Sequence, residues 1–380
     1  MERIWITMDL QSCRTEIDSI DKQLLTLFEK RMDIVSQVAN YKKEHQLPIF
    51  QPERERLIIQ NKIAQAQEDT KEYVTSFFTN LMEISKCYQL NLLSSQPQIP
   101  FTQGTIDRDF DKIVVGCAGT KGAYAHIAAS NIFSTPNIQF YQSFEQVFEA
   151  VQQQQIDYGI LPIENSTAGS VTDVYDDLTQ YSVYINASYD LKVEHCLAAK
   201  QQTSMDNLLG IYSHKQALHQ CSGFLKQYPQ IPVNLYANTA LAAQFVSENE
   251  QPIAAICSEA CANLFGLQVL KSQIQNSSDN YTKFIVISKQ LLSNEDCDEV
   301  NICIQIPHIA GELNKLLTKF SFYHIDMNKI ASRPIGDKDF NVRFFINFSG
   351  NIKDKNIQQL LYDLHTNYDY CKLLGTYTKY

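Results

Sequence analysis

Between about Asp9 and His45 the apolar positions recur at helical spacing, and three cations fall on the same stripe. Arg14, Ile17, Ile20, Leu24, Leu27, Arg31, Val35, Val38 and Lys42 follow one another at intervals of three or four, the period of one helix face. At about 1.5 Å per residue such a helix exceeds roughly 50 Å. Its stripe averages close to the 3.5-residue period of helices that pack along their length. A small domain cannot shield so long a helix alone, so a dimer is expected. After Leu47-Pro48 the pattern restarts, with Pro52 suited to a first helical position and Glu53 to a first turn. A third helix, about Glu72 to Leu92, carries Phe77, Leu81, Ile84 and Tyr88 on one side. An unpaired buried cation costs several kcal/mol. The stripe therefore predicts either a bound dianion or Arg and Lys stems that run along the apolar surface and out to water.

Beyond this segment the periodicity changes. Residues 94–108 (SSQPQIPFTQGTIDR) are rich in Ser, Gln, Pro and Gly and read as a linker. From Lys112 to about Ser288 strands alternate with helices: KIVVGCA, YAHIAASNIF, SFEQVFEAVQQQQ and DYGILPI open the series. That alternation predicts an α/β sheet. Residues 290–299 (QLLSNEDCDE) form an acidic junction. The remainder reads β-α-β-β-α-β, the order of a small ferredoxin-like α+β domain.

Composition narrows the function classes. A length of 380 residues allows two to four domains. A net charge of −10 argues against nucleic acid as a partner, and an anionic ligand would need a locally cationic site. No apolar run reaches membrane-spanning length. The first ten residues do not read as a signal peptide, Met8 reads as a functional start, and a cytoplasmic location is expected. The ten cysteines are dispersed, with no C-x-x-C. They read as small core residues of a reduced protein, and no metal or organic cofactor is expected.

The candidate chemistry of the helical segment lies in Arg14, Arg31 and Lys42 on the first helix, Arg54 and Glu55 at the opening of the second, and Ser85 and Gln89, four apart, on the third. Through the pattern R…R…K…P-E-R-E…S-x-x-x-Q, residues 8–93 resemble the all-helical chorismate mutase domain. The resemblance implies an intertwined homodimer in which Arg14 reaches the partner's site. It also implies a substrate, chorismate, that carries two carboxylates and rearranges to prephenate with no nucleophile or acid–base pair. Arg14, Arg31 and Arg54 would grip the carboxylates. Lys42 and Gln89 would donate to the ether oxygen as charge develops there, Glu55 would bind the ring hydroxyl, and Ser85 would face the substrate. Restricting the substrate's conformers supplies an entropic share of the acceleration. The family usually has Asp before Pro52; here Gln51 stands there, a poorer helix cap by about 1 kcal/mol.

In the α/β segment, Gly116, Gly119 and Gly122 follow a strand as G-x-x-G-x-x-G, which is not the dinucleotide fingerprint. They predict a turn that brings a helix N-terminus toward an anionic ligand. PIENSTAGSV, YSHKQALHQC and DNYTKF are polar, turn-rich stretches beside apolar strands. The order G-x-K-G-x-Y, P-I-E-N-S, E-H-C-L, S-H-x-Q, S-E-A and T-[RK]-F resembles prephenate dehydratase. That family's fold is like a two-lobed ligand-binding protein with its site in the cleft. Lobe one would be about 112–190 plus 270–288, and lobe two about 191–269. The implied reaction removes hydroxide and carbon dioxide from prephenate to give phenylpyruvate. Thr282 would donate to the leaving oxygen, Asn165, Ser213 and Gln216 would orient the substrate, and Lys283 would pair with a carboxylate. His195 reads as a core histidine capping a strand, and His214 as a similar residue nearer the cleft. The sequence departs from the family at Lys283 (usually Arg), Ala123 (Ser or Thr), Ser188 (Glu) and Lys215 (Pro).

Residues 299–380 resemble an ACT domain, an amino-acid-binding regulatory module. Gly311-Glu312-Leu313 and Ser332-Arg333-Pro334 occupy the two motifs that in the family form a phenylalanine site between paired domains. Ala331 replaces a Glu there, and Glu312 a small residue; the alternative is a structural dimerisation module. The chain as a whole thus resembles the bifunctional chorismate mutase/prephenate dehydratase family, with boundaries expected at 8–93, 94–108, 109–289 and 299–380. The expected partners are chorismate, prephenate, L-phenylalanine and a second copy of the chain, with no nucleic acid and no membrane. Two other readings remain: a mutase with a weakened dehydratase domain, and a non-enzymatic two-lobed amino-acid sensor.

Overall fold

The computed structural model describes residues 9–93, 99–108, 113–335 and 342–380. The expected start at Met8, linker residues 94–98 and the boundary at 109 lie outside them. Three helices open the chain: α1 (Leu10–Glu44), α2 (Pro52–Gln65) and α3 (Lys71–Leu93). Asp9 caps α1 by accepting from the Ser12 amide at 2.8 Å. Gln51 precedes α2 and makes no side-chain cap, as its chemistry predicts. Both α1 and α2 pack on α3. The apolar stripe of α1 is covered only toward its C-terminal end, at Val35 and Ala39; Ile17, Ile20, Leu24 and Leu27 are exposed, Leu27 at 62 %.

The α/β segment folds as two lobes. Lobe one holds the parallel strands Asn137–Tyr141, Val114–Ala118 and Tyr158–Asn165, extended by antiparallel Tyr281–Ser288 and Tyr184–Lys192. Lobe two is a five-stranded sheet built on Cys196–Ala199, Gly210–Ser213 and Ile253–Cys257. One expected boundary needs correction. The strand Gln268–Lys271, which the expected division at 269/270 cuts in two, lies wholly in lobe two, because Val269 registers with Ala198 and Lys271 with Leu197. Lobe one likewise extends to Lys192, where its strand pairs with Tyr281.

The C-terminal unit has strands Glu299–Ile306, Met327–Pro334, Val342–Ser349 and Tyr370–Lys379, in the order second, third, first, fourth, with helices Glu312–Phe322 and Lys355–Asn367. Its fourth strand pairs in parallel with Tyr184–Lys192, so this sheet and that of lobe one are one continuous sheet. The junction depends on Gly375: a Cβ there would stand 2.1 Å from the Ile185 carbonyl oxygen, so the strands can meet only at a glycine. One sheet face covers the lobe-one helix Thr172–Gln180, with the Tyr175 and Phe345 rings 4.8 Å apart. On the other side α3 packs against the two C-terminal helices, and Cys87 joins Leu316, Phe320 and Leu360 in one apolar cluster.

The linker and the acidic junction are docked on each other. Thr102–Gln103 pairs in parallel with Leu292–Ser293, and Ile106 is buried. The apolar Phe101 and Ile106 between polar residues supply the anchoring that the overall composition of the stretch conceals. Among the described residues no helix is long and apolar enough to cross a membrane.

Candidate active sites

The cations of the helical segment divide into two groups. Arg31 donates to the Ser85 hydroxyl, which itself donates to the Leu81 carbonyl at 2.6 Å. Gln89 donates through Nε2 to the Ser85 carbonyl at 3.2 Å, and its buried Oε1 has no partner among the described residues. Lys42 donates to the Ile49 carbonyl at 2.8 Å. Burial pushes the pKa of Arg31 down; burial also lowers that of Lys42, against the opposing pull of Glu55. Arg31, Ser85 and Gln89 are thus linked between α1 and α3, and Lys42, eleven helical residues or about 16 Å further along α1, lies near Glu55. Arg54 is exposed at the start of α2. Arg14 is exposed as well, and seventeen helical residues place it about 25 Å from Arg31. It therefore does not join Arg31 within one protomer.

In the cleft, Asn165 is the hub. Its Nδ2 lies 2.9 Å from Thr282 Oγ1, 2.9 Å from Asn280 Oδ1 and 3.1 Å from the Tyr281 carbonyl. Its Oδ1 accepts from the amides of Thr167 and Ala168 at 3.1 and 2.8 Å. Residues Thr282 and Asn165 are direct cross-strand neighbours, which explains why one amide reaches the hydroxyl. A cavity of about 280 Å³ lies beside them, lined by Thr167 and Asn280 from lobe one, Gln216 and Gln220 from lobe two, and Gln275 and Asn276 from the returning segment. Gln216 is thus brought to the cleft. Ser213 is not: it is fully buried and donates to the Ile256 carbonyl at 2.6 Å. Lys283 registers opposite Glu164, and side chains alternate along a strand. It therefore occupies the sheet face away from Thr282.

His195 sits where the chain crosses between lobes. It is buried, donates from Nε2 to Gln220 Oε1 at 2.9 Å, and lies 3.1 Å from the Tyr124 hydroxyl. Burial pushes its pKa below the usual histidine value. His214 is exposed at the N-cap of Lys215–Gln220 and accepts from the Gln216 amide. Gly119 and Gly122 have positive φ, and a Cβ on Gly122 would meet Cys261 of lobe two at 2.9 Å. The glycine turn thus serves close approach of the lobes. Ala123 opens the next helix without a side-chain cap, and Ser188 is fully buried with its hydroxyl unpartnered among the described residues.

In the C-terminal unit, Gly311 at φ +91° opens the helix that begins at Glu312; Glu312 pairs with Lys315 at 2.6 Å, and Leu313 is exposed. Ser332 and Pro334 are exposed, whereas Arg333 reaches across to Asp176 of lobe one at 2.8 Å. Ile306 and Pro334 both register with Val342. The two motifs therefore leave the same end of the sheet, separated by one strand.

Two family models match the chain. Chorismate mutase type II covers residues 13–90, and prephenate dehydratase covers 115–291. A bifunctional chorismate mutase/prephenate dehydratase of Enterobacter agglomerans is 31 % identical over 377 residues, 97 % of this chain and 95 % of the relative. The chain belongs to the bifunctional chorismate mutase/prephenate dehydratase family. A relative of the same description from Aquifex aeolicus is 30 % identical, covering 98 % of each chain. Among solved structures, the prephenate dehydratase of Arthrobacter aurescens in complex with L-Phe superposes with a TM-score of 0.65 at 24 % identity, covering 70 % of this chain and 90 % of that one. It shares the fold of the portion following the mutase segment.

As a bifunctional chorismate mutase/prephenate dehydratase, the chain carries two reactions, and side chains that the sequence pattern does not single out stand beside both candidate sites. One is Lys86, whose Nζ lies 2.6 Å from Glu83 Oε1 and 3.2 Å from Glu55 Oε2, above the Phe50 ring at 4.8 Å. Spaced three apart, Glu83 and Lys86 look like an exposed helical pair. Their neighbours Met82, Cys87 and Leu90 carried the signal that this turn is covered on all sides. Asn280 and Thr167 are the others: both lie within the polar stretches of the α/β segment, and they bond each other beside Asn165.

Proposed function

We propose that the helical segment rearranges chorismate to prephenate and that the cleft converts prephenate to phenylpyruvate. The proposed domain division is 8–93 for the mutase, 109–289 for the dehydratase and 299–380 for an ACT-type unit. The observation that carries the mutase reading is the connected set of Arg31, Ser85 and Gln89, with Lys42 facing Glu55, on a half-buried surface. Arg31 supplies a fork for one carboxylate. Lys42 and Gln89 donate to the ether oxygen as the C–O bond breaks, and Glu55 accepts from the ring hydroxyl. The second carboxylate falls to Arg14 of a partner protomer, in a homodimer whose contact is the exposed stripe of α1. Arg54 and Gln51 border the site.

In the cleft, Asn165 donates into a lone pair of Thr282 Oγ1. This orientation leaves the threonine proton free for the departing hydroxide. The hydroxyl acts as a positioned donor, while aromatisation and loss of carbon dioxide drive the reaction. Gln216 contacts substrate across the cavity; Ser213 and Lys283 contribute through the strands that they hold. L-Phe is the proposed effector, with Gly311, Leu313, Ser332 and Pro334 at its site between paired C-terminal units; the fold similarity to a dehydratase solved with L-Phe supports this reading.

The test supplies purified protein with chorismate and follows prephenate and phenylpyruvate, with and without L-Phe. Phenylpyruvate formation that L-Phe suppresses is expected. Accumulation of prephenate alone would overturn the dehydratase assignment, and persistence of chorismate the mutase assignment.

A further inference from the structure

The mutase site and the C-terminal unit are joined by a line of charges of alternating sign, half-buried at Glu55 and buried from Lys86 onward. Glu55 Oε2 lies 3.2 Å from Lys86 Nζ, and Lys86 lies 2.6 Å from Glu83 Oε1. The other oxygen of Glu83 stands 3.7 Å from Lys319 Nζ, and Lys319 donates to Asp363 Oδ1 at 2.6 Å. Lys319 and Asp363 belong to the two helices of the C-terminal unit. The Glu83 and Lys319 side chains are 2 % and 3 % exposed, and Asp363 is fully buried. Asp363 also accepts from Asn367 at 2.8 Å and Tyr323 at 3.3 Å. In such a setting each charge is held by its neighbours, because removing one leaves the next buried and unpaired.

We infer that Lys86 is a positioning residue for the mutase reaction: it fixes the Glu55 carboxylate for the ring hydroxyl and is itself fixed, through Glu83, by Lys319 of the C-terminal unit. The inference rests on the mutase reading of Glu55 and deepens it. Lys86 has three partners, Glu83, Glu55 and the Phe50 ring face, so its position is determined before substrate arrives. It engages only Oε2 of Glu55, which leaves Oε1 for the substrate. Preorganisation of this kind is expressed in substrate binding and orientation. The C-terminal unit then completes the mutase site from behind, although it contributes no group that touches chorismate.

The test uses the full chain and steady-state kinetics of both reactions. Lys86→Met is expected to raise the KM for chorismate by about tenfold with a smaller change in kcat, while leaving dehydratase kinetics unaltered. Lys86→Arg should restore most of the loss. Lys319→Met should raise the same KM by about threefold, and the double variant should match Lys86→Met, because residues in one network are not additive. Melting temperatures are taken on the same samples. A lowered melting temperature with unchanged KM in Lys86→Met and Lys319→Met would show a purely structural network and overturn the inference. Lys42→Ala is run alongside: if it retains mutase activity, the reading of the site itself is wrong, an outcome separate from failure of Lys86.

Discussion

Lys329, on the second strand of the C-terminal unit, is ion-paired at 2.7 Å with Glu164, the residue immediately before Asn165. It also donates to the Tyr175 hydroxyl at 3.2 Å. One strand of lobe one thus presents Asn165 to the cleft and Glu164 to the C-terminal sheet, with opposite faces serving opposite neighbours. Arg333 and Asp176 form a second clasp nearby at 2.8 Å.

Lys329→Met should therefore affect the dehydratase selectively. Both partners are about one-third exposed, so the direct cost in stability should stay near or below about 1 kcal/mol. A fall of a fewfold in kcat/KM for prephenate is expected, with the mutase unchanged. Equal effects on the two reactions would show that the clasp does not address the cleft.

Thr282→Ala should lower dehydratase kcat by about 100-fold or more, the scale for removing one positioned donor, while chorismate turnover continues. Thr282→Ser keeps the hydroxyl and should retain a substantial fraction of the rate. Asn165→Ala should resemble Thr282→Ala, since it removes the group that orients the hydroxyl. Separate assays with chorismate and prephenate check all three.

Lys42→Ala and Arg14→Ala should each abolish the mutase and spare the dehydratase. Mixed and allowed to exchange subunits, the two variants should regain activity in about a quarter of their sites, because half of the dimers are mixed and each has one intact site. A mixture as inactive as its components would refute the shared site.

Asp177 offers a pH test. Burial, reinforced by Glu145, Asp173 and Asp176, pushes its carboxyl up to about 6. Its folded pKa lies above the unfolded value near 3.8, so its contribution is fully present below about 3.8 and is lost as pH rises through about 6. Asp177→Asn should therefore raise the melting temperature at pH 7 to 8, with the advantage shrinking as pH falls below 6. A gain independent of pH would refute this account.

Gly375→Ala should cost about 3–5 kcal/mol, in the range of the most disruptive single substitutions, because its Cβ would overlap the Ile185 backbone. Urea unfolding reads this directly. A midpoint like that of the unsubstituted protein would mean that the two strands do not meet at this register.

The elements were legible because their periodicities were strong. The long stripe of α1, the strand–helix alternation after Lys112 and the final β-α-β-β-α-β each came from local pattern. Arg31, Lys42, Ser85 and Gln89 are also legible as a polar set in apolar surroundings, whereas Asn165 and Thr282 stand in polar, turn-rich stretches and are singled out only by the family resemblance. What local pattern does not carry is assembly. Nothing in GTY at 375–377 announces that Gly375 meets Ile185, because pairing between distant strands depends on shape. Lys86 and Lys319 read as ordinary surface lysines until α3 is laid against the C-terminal helices. Lys283 enters the expected site through the T-[RK]-F motif of the resembled family, yet as the strand neighbour of Thr282 its side chain lies on the opposite face.

The parallel pairing of Tyr370–Lys379 with Tyr184–Lys192 also bears on how the protein is made. The inner edge of lobe one stays open while the ribosome makes the C-terminal unit, since its neighbour is that unit's final strand. During that interval Tyr184–Lys192 exposes unsatisfied backbone groups to any passing chain. Nascent-chain handling by chaperones should thus matter more for this lobe than for its companion, whose five strands are all translated by Lys271.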